Sequence, residues 1–206
     1  MIDDFKHVVL DICAISAEKG VTLFQDHPHA ARLCYTLEKI LSHGLRDTAV
    51  FGKTYFWNYV KNLNVCLPST SSTLESIRDM TSSTCGRGRL FLRMALNERA
   101  LADYMSALVW NASLTEKHYK PFALLQREED ASIFLLLLEN LNKVEFSLAT
   151  PDPALDNPEY WTNLSLQPAS HISRQNESMR RGVRLGESGE SQSEEGASKG
   201  KGKETF

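Results

Sequence analysis

Ile2, Phe5, Val9, Ile12 and Cys13 recur at spacings of three and four, the pattern of one apolar helix face, which predicts a helix over residues 2 to about 18. A second helix begins after Asp26-His27-Pro28, where proline suits a first turn. Leu33, Cys34, Leu37, Ile40 and Leu41 form its stripe, and Gly44 supplies the stop. Tyr55, Phe56, Tyr59, Val60 and Leu63 predict a third helix, unusually aromatic for its length, with Trp57 beside the stripe. Phe56 and Trp57 are assigned as structural anchors of the core. Residues 69–73 are a Ser/Thr loop, and Ser72 with Glu75 makes a capping box for a short helix ending near Met80.

From Gly86 to about Trp110 the residues Leu90, Met94, Leu101, Tyr104, Met105 and Leu108 hold one stripe, over roughly six helical turns. This segment is expected to be the longest, central helix. Ser113 with Glu116 forms another capping box, and Pro121 interrupts. Glu128 and Glu129 suit the first turn of a helix carrying Phe134, Leu135, Leu138 and Leu141. Val144, Phe146 and Leu148 alternate, which predicts a short extended closing stretch. The fold class that follows is all-α: one globular multi-helix domain over residues 1–156.

Beyond Pro151-Asp152-Pro153 and Pro158 the periodicity is lost, and from Gln167 the chain is mainly Ser, Gly, Glu, Lys and Arg. Such a segment cannot bury enough apolar surface to offset its ordering entropy, so residues 157–206 are expected to be a linker and a disordered tail. No internal repeat is evident. The 206 residues are 42% apolar, enough for one sizeable core, and the formal net charge of -3 creates no global field for nucleic acid. The start lacks the basic region and long apolar stretch of a secretory signal, and the longest apolar run, 133–138, is far too short to span a bilayer. These features lead to the expectation of a cytoplasmic protein without direct membrane insertion. Cys13, Cys34, Cys66 and Cys85 form no C-x-x-C pair, and the first two fall in apolar stripes as small hydrophobes.

Positive signs of catalysis are missing. Gly86-Arg87-Gly88-Arg89 at a helix start resembles a phosphate loop superficially, but the G-x-x-x-x-G-K-[ST] spacing and the preceding strand are absent. His27 and His29 flank Pro28 without a carboxylate or cysteine cluster to complete a metal set. No catalytic residue, metal site or cofactor is therefore expected, and the chain is not expected to be an enzyme.

What remains is the run from Gly86 to Asn97, where Arg87, Arg89 and Arg93 crowd the first two turns of a helix. Cations oppose the helix dipole there, at a cost of about 0.3 to 1 kcal/mol each when exposed, so something must compensate. At 100° per residue Arg93 falls beside the buried stripe and reads as a structural arginine paired with an internal carboxylate. Arg87 and Arg89 flank the stripe, where a guanidinium can either stabilise the fold or fork onto an acidic partner.

The segment Gly86-Arg87-Gly88-Arg89-Leu90-Phe91-Leu92-Arg93-Met94-Ala95-Leu96 resembles the glycine-arginine helix signature of RUN domains. Other blocks agree in order: residues 37–45 ending His43-Gly44-Leu45, the pair Phe56-Trp57, the segment 119–125 and the segment 144–148. The resemblance spans roughly residues 2–156, and its closing segments look most like those of lysosomal adaptors that also carry pleckstrin-homology domains. It implies a helical module binding GTP-loaded small GTPases of the Rab, Rap or Arf-like classes, on endosomes or lysosomes, with motor or tethering proteins as further partners. It also implies GTPase contacts at His43, Arg87 and Arg89, with Arg46 beside them. No coiled coil, FYVE or pleckstrin-homology domain follows the helical unit, which suggests a short form that binds its GTPase without linking it onward. The rival reading is a self-associating helical scaffold, suggested by the aromatic excess around residues 55–59.

Overall fold

A computed structural model describes residues 1–19, 22–24, 27–47, 54–150 and 152–157. The expected linker and tail, beyond Asn157, lie outside the described residues. The helices are α1 (Ile2–Lys19), α2 (Pro28–Ser42), α3 (Trp57–Val60), α4 (Leu63–Cys66), α5 (Ser71–Met80), α6 (Thr84–Asn97), α7 (Leu101–Val109), α8 (Ala112–His118) and α9 (Glu128–Leu141). The fold is all-α. Two short strands, β1 (Leu23–Phe24) and β2 (Phe146–Ser147), pair in parallel and tie the chain after α1 to the chain after α9.

Helices α1, α2 and α9 bury the faces that the pattern assigned to them. Pro28 occupies the first turn of α2, and Gly44 just past its end adopts φ +70°, a left-handed conformation that glycine tolerates. The apolar faces of α1, α2 and α9 meet in one core, where Phe5 and Phe134 stack at 5.4 Å among Val9, Ile12, Leu33 and Leu37. Three acidic residues, Glu128, Glu129 and Asp130, sit in the first turn of α9, complementing its dipole.

Three expectations need correction. The aromatic helix is two single turns, α3 and α4, because the Asn62 side chain donates to the carbonyls of Asn58 and Tyr59 at 2.8 and 2.9 Å, competing with helix continuation. The long central helix is α6 followed by α7, separated by a turn in which Arg99 takes φ 57°. There Arg99 N donates to Leu96 O at 3.1 Å and Ala100 N to Ala95 O at 2.9 Å, the paired bonds of a Schellman stop with arginine where glycine is usual. Neither capping box forms: Thr70 precedes α5 without a side-chain cap, and Asn111, not Ser113, accepts from Leu114 N to cap α8.

Helix α6 is the axis of the domain. It packs against α2, α3, α5, α7 and the turn Pro153–Asp156. Residues all around it are buried, including Cys85, Gly88, Arg89, Leu92, Arg93 and Leu96.

Candidate functional site

The signature arginines are distributed between the interior and the surface by the segment 148–157, which runs antiparallel along α6. Asn97 receives Leu148 N on its Oδ1 at 2.8 Å and donates Nδ2 to Leu148 O at 2.9 Å. One turn back, Arg93 donates Nη1 to Ala149 O at 2.8 Å and to Asp152 Oδ2 at 3.0 Å. Another turn back, Arg89 donates Nη1 to the carbonyls of Leu155 and Asn157, while Nε and Nη2 fork onto Glu38 of α2 at 2.8 and 3.2 Å. Positions 89, 93 and 97 share one face at four-residue spacing, and that face bonds the carbonyls of residues 148, 149, 155 and 157 in a strap whose own helical bonds are confined to the turn Pro153–Asp156.

The two glycines of the signature make room for this arrangement. A Cβ on Gly86 would overlap Asp156 Oδ1, and one on Gly88 would lie 2.7 Å from Phe56 Cζ. Asp156 also answers the dipole problem at the start of α6. It accepts from the backbone N–H and hydroxyl of Ser83, the N-cap, and from the Ser82 hydroxyl. Burial alone would raise the Asp156 carboxyl, but these hydrogen bonds outweigh it and hold the group below its ordinary value.

Arg93 is fully buried at 0% exposure and Arg89 is 3% exposed. The expectation that Arg89 faces a partner is therefore corrected by its position: its guanidinium is inside the fold, locked between α2 and the strap. Arg87 is half-buried at the α5–α6 corner, where Nε donates to Thr81 O at 3.3 Å. Of the three, it is the one with surface access.

His43 and Arg46 lie elsewhere, on a ledge built from the turn after α2 and the segment after α8. Leu45 bridges Tyr119, Lys120 N donates to Gly44 O at 2.8 Å, and Arg46 N donates to His118 O at 2.8 Å. Gly44 is required again, since a Cβ there would sit 2.5 Å from that of Ala123. His43 Nδ1 accepts from Leu124 N at 3.0 Å, which puts the proton of the neutral ring on Nε2. Its ring meets Phe122 edge-on at 5.9 Å, and Lys120 Nζ lies 5.9 Å from the Phe122 centroid. Arg46 Nε donates to the carbonyls of Glu116 and Tyr119 while its side chain stays exposed.

Phe122 is 60% exposed despite its size. Phe122 is thus an exposed aromatic bordered by His43 and Lys120, with Arg46 exposed on the same pair of segments, a chemistry that an anionic, partly apolar partner would match. The sequence reading omitted Lys120 and Phe122 from the site. The available signal was an aromatic directly after Pro121 in a connection between two helices, where nothing required a core residue. Burial, then Lys117 and Lys61, hold the His118 imidazole below its usual value, a sign of positive potential beside the ledge.

Among the described residues, no group of three or more His, Cys, Asp or Glu side chains could hold a metal ion, and no helix is long and apolar enough to cross a membrane. Four cysteines are free thiols.

The RUN domain profile matches residues 32–151 of this chain. Human protein RUFY3 is 30% identical over 142 residues, which cover 67% of this chain and 30% of that protein. Human RUN and FYVE domain-containing protein 1 is 31% identical over 143 residues, covering 67% of this chain and 20% of the relative, and protein 2 of Pongo abelii is 31% identical with 67% and 23% covered. The last two names couple a RUN to a FYVE domain, whereas the closing segments suggested a pleckstrin-homology domain. The chain thus spans less than a third of the length of each of these relatives. With the profile match covering more than half of the chain and the signature helix placed at the centre of the fold, this chain belongs to the RUN domain family.

Proposed function

We propose that this chain is a binding module for a small GTPase of the Rab, Rap or Arf-like classes, acting peripherally on endosomes or lysosomes in the cytoplasm, with motor or tethering proteins as further partners. The observation that carries the reading is the ledge: Phe122, 60% exposed, held by backbone bonds between residues 44–46 and 118–120 and bordered by His43 and Lys120, with Arg46 exposed on the same pair of segments. A rigid aromatic anchor supplies buried area, and flanking cations steer an acidic partner and set its register. Arg87 supplies a further cation at the α5–α6 corner. Arg89 is given to the fold rather than to the contact: it fixes the strap to α2.

The self-associating alternative loses the observation that suggested it, because Phe56, Trp57 and Tyr59 are all in the core. The test is a pull-down of purified Rab, Rap and Arf-like GTPases, each loaded with GDP or a non-hydrolysable GTP analogue. Retention of at least one in its GTP form, weakened in the GDP form, is expected. Equal failure of every GTPase in both forms overturns the reading.

A further inference from the structure

The seam between α8 and the α3–α4 pair carries a second surface, distinct from the ledge. At one end, Asn111 Nδ2 donates to Cys66 Sγ at 3.5 Å. That contact brings the chain neighbours Trp110 and Val65 to one junction. Both protrude: Trp110 is 56% and Val65 71% exposed. At the other end, Asn62 Nδ2 lies 3.4 Å from His118 Nε2 and the Tyr59 ring packs beside that imidazole. Lys61 and Lys117 flank this contact, both exposed, and both depress the His118 imidazole after burial has done so. One helix of seven residues separates the two ends, a span of roughly 10 Å.

We propose that this face is a docking surface for an anionic lipid bilayer, with Trp110 and Val65 entering the headgroup layer and Lys61 and Lys117 meeting the lipid phosphates. Three features favour a bilayer over a protein groove. Side chains exposed to this degree stand out from the surface, as a wedge into a flat partner does, whereas residues lining a peptide groove are half-buried. Tryptophan is the side chain best suited to the membrane interface, with an apolar body and a polar N–H. The cations sit at the opposite end of a short seam from the apolar pair, so both can reach one plane, and Glu116 is the one exposed acid on α8. The contact lies on the surface and spans nothing, in keeping with the short helices around it. None of Trp110, Val65, Lys61 and Lys117 rims the ledge, and vesicle binding is read with no GTPase present, so its failure is distinguishable from failure of the proposed function.

The experiment is co-sedimentation of the full chain with vesicles of phosphatidylcholine alone or with about a third phosphatidylserine. Partitioning onto the phosphatidylserine vesicles, weakened by added salt, is expected. Lys61→Glu/Lys117→Glu should lower it roughly thirtyfold or more, because each cation near an anionic surface is worth about a fivefold change. Lipids brominated along the acyl chain should quench tryptophan emission in the wild type and lose most of that effect in Trp110→Phe, which retains Trp57 and Trp161. Circular dichroism melting confirms that the variants are folded. Absence of phosphatidylserine-dependent binding, an unchanged double reversal, or binding without Trp110 quenching overturns the proposal. If vesicles fail while a poly-glutamate peptide binds the wild type and not the reversal, the face recognises acidic protein and the membrane assignment is wrong.

Discussion

Replacing Arg89 by Met tests whether the signature helix holds the fold through its arginines. The change deletes a forked ion pair whose partners are 3% and 19% exposed, and removes donors from the carbonyls of Leu155 and Asn157. Breaking a buried pair from one side costs about 3 to 5 kcal/mol, mostly because the remaining charge is left desolvated. Glu38 keeps some solvent access, which places the expected loss near the middle, about 4 kcal/mol including the orphaned carbonyls. With a urea m-value of about 2 kcal/mol/M, the midpoint should fall by about 2 M. The companion variant Arg89→Met/Glu38→Met removes both charges and should lose only about 1 to 2 kcal/mol, since an apolar pair of similar volume replaces an ion pair nearly neutrally. The double variant should therefore be more stable than the single by about 2 to 3 kcal/mol. A single variant whose midpoint stays within about 0.3 M of wild type, or a double variant as unstable as the single, would refute the reasoning.

Phe56→Ala should cost about 3 to 5 kcal/mol by urea denaturation, because the ring is buried against Gly88 and nothing nearby can refill the space. Gly44→Ala combines φ +70° with a 2.5 Å approach to Ala123 Cβ; it should lower the melting temperature and displace the ledge, read as lost GTPase retention at temperatures where the domain is still folded. Burial, partly opposed by Arg93, pushes the Cys34 thiol up to about 12 from an ordinary 9.0. Above about pH 9 the unfolded chain releases this proton while the folded chain holds it, so stability falls by roughly 1.4 kcal/mol per pH unit up to about pH 12. Cys34→Ala should flatten that slope in alkaline denaturation, leaving a residual loss above pH 10 from the buried Tyr59 and Tyr119 hydroxyls, which burial also raises. We propose that the domain ends near Asp156, so deleting residues 167–206 should leave the melting temperature within about 2 °C of the full chain.

How much was legible depended on whether the deciding partner was near in sequence. Pro28 and Gly44 mark the limits of α2 because both act on their own backbone. The stop after α6 was invisible because Arg99 occupies a left-handed position that sequence reading reserves for glycine. The helical wheel placed Arg93 beside the buried stripe, yet it left Arg89 on a flank, because a wheel assumes one wet face. α6 has none: the strap covers its polar side, and Glu38, 51 residues away, supplies the counter-charge. The dipole argument foresaw a compensating group but could not name Asp156, 73 residues from Ser83. The pairing of β1 with β2 is equally non-local: the alternation at 144–148 marks β2 as extended but cannot name Leu23–Phe24 as its partner.

The central claim, that the buried arginines shape the domain while the ledge binds the partner, is tested most directly by one paired titration. Wild type, Lys120→Glu/Phe122→Ser and Arg89→Met are each titrated with the GTP-loaded GTPase retained in the pull-down, and each is unfolded in urea under the same buffer. The account predicts that the Lys120/Phe122 variant keeps the wild-type midpoint and loses at least about a hundredfold in affinity, since an aromatic anchor and a flanking cation together are worth more than about 2.7 kcal/mol. Arg89→Met should show the reverse, a lowered midpoint with affinity nearly intact while the domain is folded. A folded Lys120/Phe122 variant that binds at wild-type strength, or an Arg89 variant that is fully stable and fails to bind, would contradict it.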